Sequence, residues 1–262
     1  MNEKCLIIGH LGLGDQFTIN GLIRYYTTLY NYVYVLCKKN NMKSINQMYI
    51  DTNNIISIYI DTIDNLIDNN HYLFKEYKNY DIIKLGLYNN NWYTIKSNLT
   101  IGGLSYSFFK TFYEQINLNY NIRYKYEKIN RYKNNEFFFF KEVMINYNKY
   151  IFLHNDINFK INISNYISND ISNDIPIFHP NFNYYEKENK YYNLWNGKIS
   201  YNIFDYCYIL ENAEEIHVSF SSFFSLCMFL DLSFVKKKYI YTDITNIKDY
   251  HERMNNWIII YI

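Results

Sequence analysis

The segment that most constrains the fold is Cys5 to Tyr26, CLIIGHLGLGDQFTINGLIRYY, where an apolar run meets a glycine turn and then a helical pattern. Cys5 to Ile8 contains no charged or amide residue, and a short uninterrupted run of this kind suits an inner strand of a parallel sheet, buried on both faces. Gly9, Gly12 and Gly14 let the backbone turn tightly and let a ligand approach where a Cβ would stand in the way. Beyond them Phe17, Leu22, Ile23 and Tyr26 recur at helical spacing, and Asp15 is suited to cap or open that helix. Strand, glycine loop and helix start together make a place for an anion or a sugar hydroxyl. The structural alternative is that glycine loops follow first strands in most α/β folds, whatever they bind. The spacing is not G-x-G-x-x-G and no Gly-Lys-Ser/Thr follows, so both common nucleotide signatures are missing.

The alternation continues along the chain. Strands are predicted at Tyr32 to Cys37, Ile55 to Ile60 and Tyr80 to Leu85, with helices at Lys43 to Tyr49 and Thr62 to Lys78. Short-spaced alternation of this sort is the pattern of a doubly wound parallel sheet. From about Leu104 the character changes. Ser105 to Leu118 reads as a helix, Asn119 to Arg131 as a polar, aromatic connection, and Asn135 to Met144 as another helix. Tyr150 to His154 restarts the alternation with a strand. It is followed by a strand at Ile175 to His179, a helix at Phe204 to Ala213, a strand at Ile216 to Ser219, a helix at Phe223 to Leu232, a strand at Lys238 to Tyr241 and a closing helix at Ile247 to Trp257. The expectation is two similar α/β domains, residues 1–147 and 148–262, with the last helix able to pack back on the first. Only 2 prolines occur and no Gly/Ser-rich linker marks the junction.

At 262 residues and 49% hydrophobic, the chain can bury an ordinary globular core. Its 32 Tyr and 19 Phe are spread along the chain, as AT-rich coding would leave them. The net charge of +1 supplies no basic field to concentrate nucleic acid. Cys5, Cys37, Cys207 and Cys227 lie far apart, without CxxC or Cys/His spacing, which fits reduced thiols in a cytoplasmic protein better than zinc or disulfides. The N-terminal apolar run is too short and too polar for a signal peptide, and no apolar stretch reaches membrane-span length. A soluble protein is expected, its oligomeric state left open.

A second constellation lies at Glu214 to Leu232. A short strand ends at His217 to Ser219, and Ser221 and Ser222 stand where the next helix begins. Two hydroxyls with free backbone N–H groups suit a diphosphate, while a serine there equally serves as a helix cap. His154, Asn155 and Asp156 follow another strand end, where ligands of open α/β sheets bind, with Lys160 four residues on. Lys160 is placed to neutralise a phosphate, or is one more surface lysine.

With these residues placed, the chain resembles the GT-B class of sugar-nucleotide glycosyltransferases. GLGDQFTINGLIRYY looks like the glycine-aspartate loop and first helix of heptosyltransferase-like enzymes, and more loosely like the GLGNQ loop of fucosyltransferases. FYEQINLNYNIRY (Phe112 to Tyr124), Arg131 and Glu136, YIFLHND, and ILENAEEIHVSFSSF (Ile209 to Phe223) occur in the order seen in small glycosyltransferase-like proteins of bacteria and large DNA viruses. The resemblance implies two Rossmann-like domains facing each other across a cleft, acceptor side first and donor side second. It implies transfer of a hexosyl or deoxyhexosyl group from a nucleotide-diphosphate sugar to a hydroxyl of a glycan or glycoconjugate. Asp15 then holds the position of the catalytic base, with His10 either replacing it or orienting the acceptor, and Gln16 and Tyr113 as further acceptor contacts. The donor side would use Gly12, Leu13, Gly14, His154, Asn155, Asp156, Lys160, Glu211, Ser219, Ser221, Ser222 and Phe223. No DxD-type pair stands out, Asp61 and Asp64 lying in an ordinary strand-to-helix passage, so transfer without metal or other cofactor is expected. The fucosyltransferases' His-x-Arg-Arg is replaced by His154-Asn155-Asp156, which argues against a guanosine-diphosphate fucose donor. The competing readings are a catalytically inactive sugar- or nucleotide-binding module of the same fold, and an interaction scaffold.

Overall fold

The structure is a computed structural model describing residues 3–61, 72–88, 91–92, 99–101, 104–106, 108–145, 147–155, 161–163, 166, 175–181, 187–244 and 247–262. The chain divides into two compact units, Met1–Asn130 and Arg131–Ile262. In the first, β1 (Lys4–Ile8), α1 (Leu13–Thr18), α2 (Asn20–Tyr26), β2 (Tyr32–Lys38), α3 (Met42–Met48), β3 (Ile55–Ile60), α4 (Tyr72–Glu76) and β4 (Asp81–Lys84) alternate. The strands form a parallel sheet in the order β3-β2-β1-β4. Two antiparallel hairpins follow, β5 (Leu87–Tyr88) with β6 (Asn91–Trp92) and β7 (Leu99–Ile101) with β8 (Leu104–Tyr106), then α5 (Phe108–Glu114) and α6 (Ile122–Tyr126). Ser105 and Tyr106, expected in a helix, belong to the second hairpin.

β1 has a parallel neighbour on each side and is buried on both faces, which is why its sequence is apolar without alternation. Leu6 and Ile8 pack with Leu11, Leu36, Ile60 and Leu73. Cys5 and Ile7 face the other side by the two-residue period of a strand. The helix expected after the glycine turn is two, because Ile19 leaves helical geometry at φ −90°, ψ 4°.

What locks α2 in place is the return of residues 120–130. A Cβ on Gly21 would stand 2.4 Å from the Arg123 carbonyl oxygen and 2.7 Å from its Cα, so α2 and α6 meet backbone to backbone. Asn20 accepts from the Lys128 amide at 2.8 Å, and the Arg24 guanidinium donates to the carbonyls of Met48 (2.7 Å) and Lys128 (3.2 Å). Asp51 receives Arg24 at 2.9 Å, Lys128 at 2.6 Å and Asn130 at 2.7 Å. Partial burial would raise the Asp51 carboxyl, but these donors prevail and hold it well below the usual carboxylate range.

The second unit contains α7 (Lys133–Val143), β9 (Ile151–His154), β10 (Ile177–Phe178), α8 (Tyr192–Trp195), α9 (Cys207–Glu211), β11 (Glu215–Ser219), α10 (Ser222–Cys227), β12 (Lys237–Thr242) and β13 (Ile258–Tyr261). The sheet is parallel throughout, in the order β10-β9-β11-β12-β13. The division falls at residue 130, not near 147, because α7 packs on this unit. Phe139 meets Tyr206 at 5.1 Å and Phe140 meets Tyr208 at 4.8 Å between ring centroids. Arg131 also joins Glu136 of α7 (2.5 Å) to Glu211 of α9 (2.8 Å). The closing helix is replaced by two 3-10 turns, Ile247–Asp249 and Glu252–Asn256, after which Ile258–Tyr261 adds an edge strand. Tyr250 and Trp257 from this segment pack on Phe224 of the same unit at 5.2 and 5.1 Å.

Two outcomes follow for stability. Gly21→Ala forces α2 off α6 and costs about 3 kcal/mol in urea unfolding. Asp51→Asn costs about 1 kcal/mol at neutral pH. A carboxyl with a depressed folded pKa stabilises above its unfolded pKa of about 3.9. The gap between wild type and Asp51→Asn therefore narrows as pH falls below about 4, which urea titrations at a series of pH values will show.

Candidate functional site

In a sheet of parallel strands the crevice that admits a ligand opens at the carboxyl ends, where the strand order reverses direction. In the first unit the order reverses between β1 and β4, and in the second between β9 and β11. Each reversal has a histidine beside it, His10 in the first and His154 in the second.

At the first crevice the His10 ring lies 3.3 Å, through Nε2, from the Gly86 carbonyl, just past β4. A carbonyl only accepts, so Nε2 carries the proton and Nδ1 the lone pair of the neutral ring. Phe108 and Phe112 stand edge-on to the ring, each at 5.5 Å. Burial lowers the His10 pKa, and the bond to Gly86 opposes this in part. Gly86 is the residue that makes the arrangement possible. Its φ is +72°, and a Cβ there would stand 2.7 Å from His10 Cδ2 and 2.6 Å from Phe112. Its amide donates to Gln115 Oε1 at 2.9 Å.

Asp15 is the third residue of α1, with Gly12 at the N-cap and no side-chain cap bond, so it does not cap the helix. As a residue it is half-buried, but its carboxyl is withdrawn from water, and that desolvation raises its pKa to about 7. A Cβ on Gly12 would lie 2.6 Å from Asp15 Oδ2, so the glycine leaves room for the carboxyl. Gly9, Gly12 and Gly14 do not use left-handed backbone; among the described glycines Gly86 and Gly197 do. Leu13 and Gly14 are half-buried in the first turn of α1, and the Gly14 carbonyl accepts from Thr18 Oγ1 at 3.2 Å. Gln16 is fully buried, its amide donating to the His10 carbonyl (3.2 Å) and the Leu36 carbonyl (3.4 Å), which ties the loop to β2. Tyr113 is also in the core, donating to the Thr18 carbonyl at 2.8 Å. Neither Gln16 nor Tyr113 presents its polar atoms to a ligand.

At the second crevice His154 Nδ1 lies 3.1 Å from Ser221 Oγ, joining the ends of β9 and β11. Ser221 is the N-cap residue of α10, yet its hydroxyl makes no cap bond, being turned to His154. Phe223 packs against the His154 ring at a tilt of 46°, 4.6 Å between ring centroids, and is itself buried against Phe152 and Tyr206. His179, one residue past β10, brings a second imidazole to 6.5 Å from the first. Desolvation pushes both rings down to about 3, with His154 also repelling a charge on His179, so both are neutral at physiological pH. Asn155 is buried and pins the chain beyond β9 by accepting from the Ile161 amide at 3.0 Å. Ser219 is fully buried, and its Oγ has no hydrogen-bond partner among the described residues. Ser222 opens α10. Asp156 and Lys160 lie outside the described residues, as does Asp64.

Glu211 is not brought to this crevice. It ends α9 and so precedes β11, whose four steps from Glu215 to Ser219 span about 13 Å. Its carboxylate is committed to Arg131, Nη1 to Oε1 at 2.5 Å and Nη2 to Oε2 at 2.8 Å. Two residues of the sites escaped the sequence reading, Gly86 and His179. Each sits at or just beyond a strand's carboxyl end, the position that singled out His154.

Among the described residues no helix is long and apolar enough to cross a membrane, and no group of three or more His, Cys, Asp or Glu could hold a metal ion. The chain matches no protein-family model and no curated protein sequence. Among solved structures it is similar to a glycosyl transferase family 9 protein from Veillonella parvula. The TM-score is 0.53 at 7% identity, covering 100% of this chain and 88% of that one. At that identity the likeness is one of fold: an α/β chain with two parallel-sheet units, the class expected from the alternation of strands and helices.

The neutral state of the crevice histidines has a direct readout. The His154 and His179 ring resonances will hold constant between pH 5 and pH 8 in NMR titration, where an ordinary histidine titrates near 6.5. Ser221→Ala, which removes the polar partner of His154, leaves His154 neutral as well, because desolvation and not the hydrogen bond sets its state.

Proposed function

We propose that this chain is a glycosyltransferase that moves a sugar from a nucleotide-diphosphate donor to a hydroxyl acceptor without a metal ion. The observation that carries the reading is the likeness in fold to a glycosyl transferase family 9 protein over the full length of the chain. The crevice residues supply a chemistry for it. A hydroxyl attacking an anomeric carbon must lose its proton, and a base works best when its pKa lies near the operating pH. The Asp15 carboxyl, raised to about 7, meets that condition in the first turn of α1, the helix that follows β1. His10 orients the acceptor, its Nε2–H committed to Gly86. In this reading the first unit takes the acceptor, and the second takes the donor at its β9/β11 crevice. There the Ser221 hydroxyl and the open backbone amides at Ser222 and Phe223 receive the diphosphate.

The test begins with thermal shift of the full chain against uridine, guanosine, thymidine, adenosine and cytidine diphosphates, each with and without magnesium. One nucleotide should raise Tm equally in both conditions. A ligand at 100 times its Kd adds about 2.7 kcal/mol. With the donor base in hand, Asp15→Asn should lower turnover about 100- to 10,000-fold while donor affinity is kept. The wild-type kcat/KM should rise with pH to a plateau above about 7, since the base acts when ionised. Stability moves the other way. A carboxyl whose folded pKa is raised stabilises the fold below its unfolded pKa, and that contribution is lost as pH climbs through about 7. Asp15→Asn should therefore be more stable than wild type at pH 8. A nucleotide that binds with no turnover in any acceptor mixture would instead favour an inactive binding module.

A further inference from the structure

A cavity of about 180 Å³ lies in the second unit on the amino-terminal side of its sheet, away from the β9/β11 crevice. Its walls come from the end of α10, the start of β12 and the second 3-10 turn. They include Ser233, Lys238, Arg253, Asn256 and Trp257, and no acidic residue among those described. At about 30 Å³ per water, the space holds roughly six waters.

The charges in this cavity are unbalanced. Lys238 is half-buried, Arg253 is exposed and lines the same cavity, and neither is ion-paired among the described residues. Lys236, two residues earlier, has its acid in Glu214 at 2.9 Å. The neighbouring carboxylates are directed elsewhere. Asp231 accepts from the Ser233 amide at 3.1 Å, and Glu252 is exposed. Arg253 donates from Nη1 to the Met228 carbonyl at 2.5 Å, which caps the carboxyl end of α10; its other guanidinium N–H groups have no partner among the described residues. Helix capping accounts for Arg253, but nothing accounts for Lys238. Two cations with a hydroxyl and an amide at one cavity match the charge and acceptor oxygens of a phosphate.

We propose that this cavity binds a small phosphate-bearing molecule at Lys238 and Arg253, separately from any ligand of the β9/β11 crevice. The proposal does not depend on the glycosyl-transfer reading. The probe is inorganic phosphate on the full chain, followed through the Trp257 indole N–H resonance, assigned with Trp257→Phe, against sodium chloride of equal ionic strength. The resonance should move saturably with phosphate and not with chloride. Lys238→Met should weaken binding at least about tenfold, equivalent to about 1.4 kcal/mol, while Lys238→Arg retains it. Ser221→Ala, at the crevice, should leave the titration unchanged. A resonance that phosphate does not move beyond chloride, a titration that Lys238→Met leaves intact, or one that Ser221→Ala abolishes would each overturn the proposal. Lys238→Met keeps the Arg253 cap, so a folding defect in an Arg253 variant cannot be mistaken for lost binding.

Discussion

A parallel strand buried on both faces offers no side chain to a ligand along its length, and both sheets of this protein contain such strands. Cys5 to Ile8 in β1 and Ile151 to Leu153 in β9 are buried and apolar, flanked by hydrogen-bonded neighbours on each side. Polar groups that can meet a ligand are thereby displaced to the strand ends. It gathers where the order reverses, because there the connections leave in opposite directions and the loops part. His10 with Gly86, and His154 with Ser221, occupy these two places. The cross-strand polar contact in each unit is thus a consequence of topology, reached from segments distant in sequence.

The parts of this arrangement visible in the sequence are those set by local physics. The apolar runs of β1, β3 and β9 and the Gly-Asp turn after β1 could be read because burial and backbone demand are written into consecutive residues. Long-range demand is not. Gly21 reads as an unremarkable helical glycine until Arg123 arrives against it, and Gly86 as a strand-end glycine until His10 fills the space a Cβ would take. The closing segment carried a helical spacing of apolar residues, Ile247, Tyr250, Met254 and Trp257, that two 3-10 turns satisfy equally well by burying them. The edge strand Ile258–Tyr261 had no flanking turn signal to distinguish it. The domain boundary was misplaced for a related reason: the aromatic run of α7 belongs to whichever unit supplies Tyr206 and Tyr208, and sequence order does not say which.

Gln16 and Tyr113 show the same limit at the site. Both are polar, both lie in the segments that carry the family resemblance, and both are turned inward to satisfy backbone carbonyls. They act on the crevice through position. Gln16 grips the carbonyl of His10, and Tyr113 grips the carbonyl of Thr18 at the end of α1. A motif marks which residues a loop needs, and burial decides which of them hold the loop and which are left to meet a ligand.

Histidine makes the final distinction. His217 is fully buried in β11, and its two nitrogens meet Tyr241 Oη at 2.9 Å and Glu215 Oε2 at 3.2 Å, with Tyr239 stacked on its face at 4.4 Å. Every hydrogen-bonding capacity of that ring is consumed inside the sheet, so its depressed pKa describes a satisfied core residue. His154 has a depressed pKa from the same cause, desolvation, but it ends a strand at the reversal point. Its side-chain hydrogen-bond partner is a hydroxyl at the start of α10. A perturbed pKa alone does not separate the two rings. Their places relative to the carboxyl edge of the sheet do: His217 is enclosed within β11, and His154 stands at the end of β9 where the strand order reverses.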